Sequence, residues 1–170
     1  MNAFRPSRAN VAGSSLVEVL IAMGVLAVAL PLVFAVLARS GQSCAAAQAE
    51  TRSTWIIPAC LNEIEAAHHG TARFLPALTP GQPFPARGDI LALAFAQDGR
   101  AIGCVPPAAY RSGVSRLADV PIRYLASLHT EPVPSQLNLP PLLNLHLTLE
   151  YPAAAPLANR RRLDFHTRLP

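Results

Sequence analysis

"GSSLVEVLIAMGVLAVAL", residues 13–30, sets one carboxylate, Glu18, at the entrance of a run that is otherwise apolar. The run continues to Leu37, and Glu18 is the only charge within residues 16–37. At ~1.5 Å per residue a helix of that length measures about 33 Å, enough to cross a bilayer core of ~30 Å. Arg5 and Arg8 precede it with no acid among them, and Arg39 and the polar "RSGQS" follow. Basic residues mark the cytoplasmic flank of membrane helices. The pattern therefore predicts a cytoplasmic N-terminus, with the rest of the chain across the membrane. Pro31 lies inside the run and predicts a local kink, because proline cannot donate a helical hydrogen bond.

Three readings of the run compete. A secretory signal peptide has an apolar core of only ~7–15 residues before a small-residue cleavage site. This run is longer, and an acid at its entrance is unusual there. A plain signal anchor fits the length and orientation. It places Glu18 at the headgroup boundary, where the helix dipole favours an acid. A buried core helix needs protein on all sides, and the Pro-rich remainder of about 130 residues is short for that.

The stretch resembles the N-terminus of type IV prepilins and type II secretion pseudopilins. That family has a short basic leader ending in Gly, then a cut, then Glu at the fifth mature position and a long apolar helix. Here Gly13 ends a leader carrying Arg5 and Arg8, and Glu18 is fifth when Ser14 is counted first. "LVEVLIAMGVLA" follows the family's usual run closely. The resemblance implies cleavage by a prepilin peptidase between Gly13 and Ser14, and N-methylation at Ser14. One departure bears on the methylation: the first mature residue is commonly Phe or Met, and here it is Ser14. The match by motif covers residues 5–40, and beyond them it is architectural.

The resemblance also gives Glu18 a role in subunit assembly. A carboxylate inside a bilayer is unfavourable, by up to ~3 kcal/mol near the centre and less at the interface. In the family's filaments this Glu is held to pair with the N-terminal ammonium of a neighbouring subunit, and an apolar site strengthens such a pair. The implied partners are the peptidase, other pilin-like subunits and an inner-membrane assembly platform.

Residues 40–69 stay helix-friendly, beginning with the Ala-rich "CAAAQAE". Ile57, Leu61, Ile64 and Ala67 or His68 recur at helical spacing. Pro58 predicts a kink or a fresh helix start, and Gly70 a stop. Downstream, "DILALAFAQDGRAIGCV" reads as two strands joined at Asp98-Gly99. "VPIRYLASLH" alternates Val120, Ile122, Tyr124 and Ala126. "LLNLHLTLEY" sets Leu143, Leu145, Leu147, Leu149 and Tyr151 against Asn144, His146, Thr148 and Glu150. "RRLDFHTRL" sets Leu163, Phe165 and Leu169 against Arg162, Asp164, His166 and Arg168. Such strands predict an antiparallel sheet covered on one side, with its other face in solvent. The fold class is α+β: a long N-terminal helical spine, transmembrane in its first half, with a C-terminal antiparallel sheet packed on its second half. The expected organisation is a leader over 1–13, a membrane and assembly helix over 14–38, a periplasmic spine over 39–70 and a sheet head over 71–170. Nearly all of the 17 prolines follow residue 57, and the Pro-rich segments 74–87 and 131–141 read as loops.

Little in the chain points to chemistry. Cys44, Cys60 and Cys104 have no metal-ligand spacing, and no C-x-x-C occurs. Cys44 and Cys60 on one helix would stand roughly 24 Å apart, so a disulfide must use Cys104, and Cys60–Cys104 is the favoured pair. Glu65 and His69 are one helical turn apart but lack further ligands for a metal. His146 and His166 fall on the polar sheet face. Arg160, Arg161 and Arg162 form the only basic run, a weak nucleic-acid signal without interleaved aromatics. No nucleophile elbow, P-loop or zinc-protease motif is present. The sequence thus predicts a structural protein, not an enzyme, with no cofactor, no metal and no nucleic-acid partner. The alternative is a single-pass, membrane-anchored periplasmic protein that binds a ligand or takes up DNA.

Overall fold

The computed structural model describes residues 15–86, 89–133 and 142–169. Gly13 and Ser14, the expected cleavage and methylation positions, lie outside the described residues, as does the leader. The chain divides into two compact units, Met1–Ala45 and Ala46–Pro170.

One helix, α1, runs Leu16–His68 and passes through both Pro31 and Pro58 without interruption. The fresh start expected at Pro58 does not occur. Pro58 sits on the exposed side of α1, between the buried Ile56 and Cys60. The Thr54 carbonyl that loses its usual donor there belongs to an exposed residue, so water can satisfy it, and packing of the opposite side holds the helix. α1 ends where Gly70 predicts. Gly70 takes φ +70, its N–H donates to the Ala67 carbonyl, and the Thr71 N–H donates to the Ala66 carbonyl. These two bonds form a Schellman cap, whose left-handed residue glycine adopts without a Cβ penalty.

Within the second unit, α1 buries Ala49, Ser53, Ile56, Cys60, Ile64 and Ala67. Their spacing of three and four residues is one helical stripe. It lies slightly aside from the expected one, since Ile57 and Leu61 are only half-buried. A 3.6-residue period accommodates either stripe, and contact with the sheet selects between them.

The strands are β1 (Leu91–Phe95), β2 (Ala101–Cys104), β3 (Arg116–Leu117), β4 (Val120–Pro121), β5 (Tyr124–Pro132), β6 (Leu143–Tyr151) and β7 (Arg161–Leu169). Five of them form one antiparallel sheet in the order β2-β1-β5-β6-β7, and β3 pairs with β4 separately. The β1–β2 hairpin turns at Asp98-Gly99 as expected, with Gly99 at φ +90 and the Arg100 N–H donating to Asp98 Oδ1 at 3.0 Å. The helix-side core joins Ile56, Cys60 and Ile64 to Phe95, Tyr124, Leu145 and Leu149. Leu143, Leu145, Leu147, Leu149 and Tyr151 of β6 are all buried, as their alternation requires. Phe165 is only half-buried, because β7 is an edge strand with one neighbour.

The other sheet face is not simply solvated. A second cluster there buries Ala92, Ala94, Val105, Tyr110, Ile122 and Leu125. It is built partly by α2 (Pro107–Ser112). Ile122 belongs to this cluster rather than to the face of Tyr124 and Ala126, because regular strand structure is interrupted between Pro121 and Tyr124. Loop clamps complete the head. The Glu63 carboxylate on α1 accepts the backbone N–H groups of Phe74 and Leu75. Buried Thr130 accepts the Phe84 N–H at 2.6 Å through its hydroxyl oxygen and donates its own N–H to the Phe84 carbonyl at 2.8 Å.

Candidate functional site

The helix entrance is closed by its own residues. The Ser15 N–H donates to Glu18 Oε2 at 3.4 Å, and the Glu18 N–H donates to Ser15 Oγ at 3.3 Å. This reciprocal pair is a capping box, which satisfies donors that the first turn leaves open. Its S-x-x-E signature stands in the sequence ahead of the apolar run. It supplies a local partner for Glu18 that consideration of the dipole and the cut alone does not identify.

Beyond the cap, the first half of α1 has apolar side chains on every side, and the large ones are all exposed. Leu16 is 79% exposed, Leu26 54% and Phe34 67%. A helix apolar all round is stable only inside a bilayer or among other apolar helices. α1 is long and apolar enough to cross a membrane.

The polar side of the sheet carries a buried ionic network. Glu150 on β6 pairs with Arg160 at 2.8 Å, and the two side chains are 2% and 0% exposed. Arg160 also donates through Nε to the Ala155 carbonyl at 2.8 Å and through Nη2 to the Tyr110 carbonyl, with its guanidinium over the Tyr110 ring. Arg162 reaches the second Glu150 oxygen at 3.3 Å from a half-exposed position. Burial pushes the Tyr110 hydroxyl above its ordinary pKa, and the Glu150 carboxylate adds to that rise. The basic run is thus not a free patch: Arg160 is a core residue, and Arg162 shares its carboxylate. The sequence placed Glu150 on a solvated face. Glu150 is instead held by Arg160, itself tied to the Tyr110 carbonyl of α2 and to the Ala155 carbonyl, contacts that alternation within β6 does not register.

A groove of about 400 Å³ opens beside this network, lined by Ser127, Leu128, Thr148, Glu150, Arg162 and Asp164 among others. Within it the Thr148 hydroxyl donates to Asp164 Oδ1 at 2.7 Å. Along the same face, strand register aligns His129 with His146 and His146 with His166. The last two rings meet edge-on, 4.3 Å between centroids. His129 belongs to this row only through pairing of distant strands, so its place is not visible in the β5 segment alone. Among the described residues, no group of three His, Cys, Asp or Glu side chains is placed to hold a metal ion.

None of the three cysteines is bridged. Cys60 and Cys104 both pack in the helix-side core, and the Cys104 Sγ donates to the Phe74 carbonyl at 3.1 Å. Burial, reinforced by the Glu63 carboxylate, pushes the Cys60 thiol up to about 12 and raises Cys104 as well. Glu65, His68 and His69 line a second groove of about 610 Å³ together with Leu61, Ile64 and Leu169.

Comparison of the chain with protein-family models, curated proteins and solved structures finds no match in any of the three.

Proposed function

We propose that this chain is a pilin-like or pseudopilin-like structural subunit. A prepilin peptidase cuts it after Gly13, the first half of α1 anchors it in the bacterial inner membrane, and its head lies in the periplasm. Assembly on a membrane platform draws it into a type IV pilus or a type II secretion-type filament. The reading rests chiefly on one feature: an apolar helix of membrane length, exposed on all sides, entered five residues after Gly13 through a carboxylate. Bilayer and filament are the two apolar surroundings that suit such a surface.

Co-expression with a prepilin peptidase tests it. Intact mass should fall by the 13-residue leader, and Gly13→Val should block the cut while leaving membrane insertion unchanged. An uncut chain, or a cut elsewhere, refutes the proposal. In the filament, Glu18 pairs with a neighbour's Ser14 ammonium. Mature Glu18→Ala should then insert and fold but fail to crosslink with filament partners, with Glu18→Asp intermediate.

The capping box favours a second reading, a plain single-pass anchor carrying a periplasmic head. Ser15 already gives Glu18 a structural reason to be an acid. Under that reading Glu18→Ala loses only a cap, and neither it nor the wild type crosslinks with filament partners.

A further inference from the structure

Three histidines stand in one row across the polar side of the sheet. His146 on β6 is in register with His129 on β5 and with His166 on β7. Neighbouring strands lie ~4.7–4.9 Å apart, so directly opposed side chains share one patch of surface. His146 is half-buried and His166 exposed. Their rings meet edge-on, with 4.3 Å between centroids and 89° between planes. A groove of about 270 Å³ opens at this point, lined by Asn144, His146, His166, Thr167 and Arg168. Asp164, two residues before His166, lies on the same face and accepts from the Thr148 hydroxyl.

Imidazole nitrogens suit zinc, copper and nickel, whereas magnesium and calcium take oxygen ligands. Zinc–nitrogen bonds of ~2.0–2.1 Å in a tetrahedral site set two ligand nitrogens about 3.3 Å apart. Rings with centroids 4.3 Å apart reach that spacing by turning about χ2, a broad torsion, without backbone movement. Two protein donors do not close a coordination sphere, and among the described residues no third His, Cys, Asp or Glu is placed with them. They suffice for an open site whose other positions are held by water. A water takes up ~30 Å³, so the groove admits an ion together with several. We propose that His146 and His166 form an open, water-completed binding site for a divalent transition ion of the zinc, copper or nickel kind. His129, on the other side of His146, lies 3.7 Å from Glu131 and stands outside the pair. Arg168 works against a cation there and Asp164 works for it, by sign of charge. His68 and His69 do not make a second such pair, because adjacent helical residues point about 100° apart. The inference concerns the head alone and does not depend on whether the leader is cut.

The test uses the full chain in detergent micelles, with Zn²⁺ alone as the probe and the histidine ring resonances as the readout. Zn²⁺ should shift the rings of His146 and His166 together, at lower concentration than those of His68 and His69. His166→Asn, an exposed change, should weaken this binding by about tenfold or more, since even outer partners of a metal cost that much. His146→Asn should do the same, and if it unfolds the head then His166→Asn decides alone. Arg168→Ala removes the opposing charge and should tighten Zn²⁺ by about twofold or more at low salt. Inorganic phosphate should leave both rings unshifted. The proposal is overturned by any of four results: no joint shift at about 1 mM Zn²⁺, the scale of a weak affinity; unchanged binding by His166→Asn; weaker Zn²⁺ binding by Arg168→Ala; or a phosphate shift that Arg168→Ala abolishes, which makes the groove an oxyanion site.

Discussion

Two stretches of α1 share one backbone geometry and differ in what surrounds them. Over residues 16–37 the large apolar side chains are all exposed, with no stripe facing protein. Between Ala49 and Ala67 a single stripe is buried and the opposite side is polar or exposed. The difference shows that helix formation and helix burial are separate matters. The first stretch leaves its apolar surface for a bilayer or for neighbouring helices. The second completes a core with its own sheet.

The largest effect expected from that contrast lies in the head. Arg160→Met strands the buried Glu150 carboxylate and should cost about 3–5 kcal/mol in head stability, measured by urea unfolding in detergent. Adding Glu150→Leu should recover much of the loss, because an apolar pair no longer leaves a buried charge. If Arg160→Met is neutral, the network is a surface feature and the contrast weakens.

Paired truncations sharpen the comparison next. Leu147→Ala should destabilise the head by about 2–5 kcal/mol. Leu26→Ala, in the first stretch, should leave the same unfolding transition within about 0.5 kcal/mol. Equal effects would mean that residues 16–37 do pack into the head.

Cys60 reports on the second stretch by pH. Its folded thiol titrates at about 12, above the ordinary 9.0. The unfolded chain therefore loses this proton first, and the stabilisation is complete below pH 9. It should fall by about 1.4 kcal/mol per pH unit as pH rises from 9 toward 12. Iodoacetamide should accordingly alkylate Cys60 at pH 8 far more slowly in the folded chain than in the denatured one, because the buried thiol stays protonated and out of reach. Comparable rates would mean that the stripe opens freely.

The smallest change is at the helix entrance. Ser15→Ala removes one arm of the capping box and should cost about 1 kcal/mol of local helix stability. Hydrogen exchange of the first-turn amides should show it, with no change in head unfolding. A change in head unfolding would couple the two stretches.

The sequence by itself determined the elements whose information is local. Residues 16–37 specify an apolar helix because their composition leaves no polar side. Gly70 specifies its own left-handed stop, and Asp98-Gly99 its turn. The alternation of β6 specifies which leucines go inward, since a strand has a period of two. Ser15 and Glu18 also carried their cap legibly. The docking stripe on α1 was legible only to within one residue, because a 3.6-residue period tolerates a neighbouring choice until a sheet lies against it. Tertiary structure alone decided the rest. Glu150 and Arg160 read as polar-face and basic-run residues, and they become a buried pair because the Tyr110 and Ala155 carbonyls, outside β6, hold Arg160 against Glu150. His129, His146 and His166 form a row only when three strands distant in sequence come into register. That β2 and β7 are the two outer strands of the sheet follows from strand order. Strand order is fixed by which long-range pairings bury the most apolar surface together, a property of the folded whole that no short segment encodes.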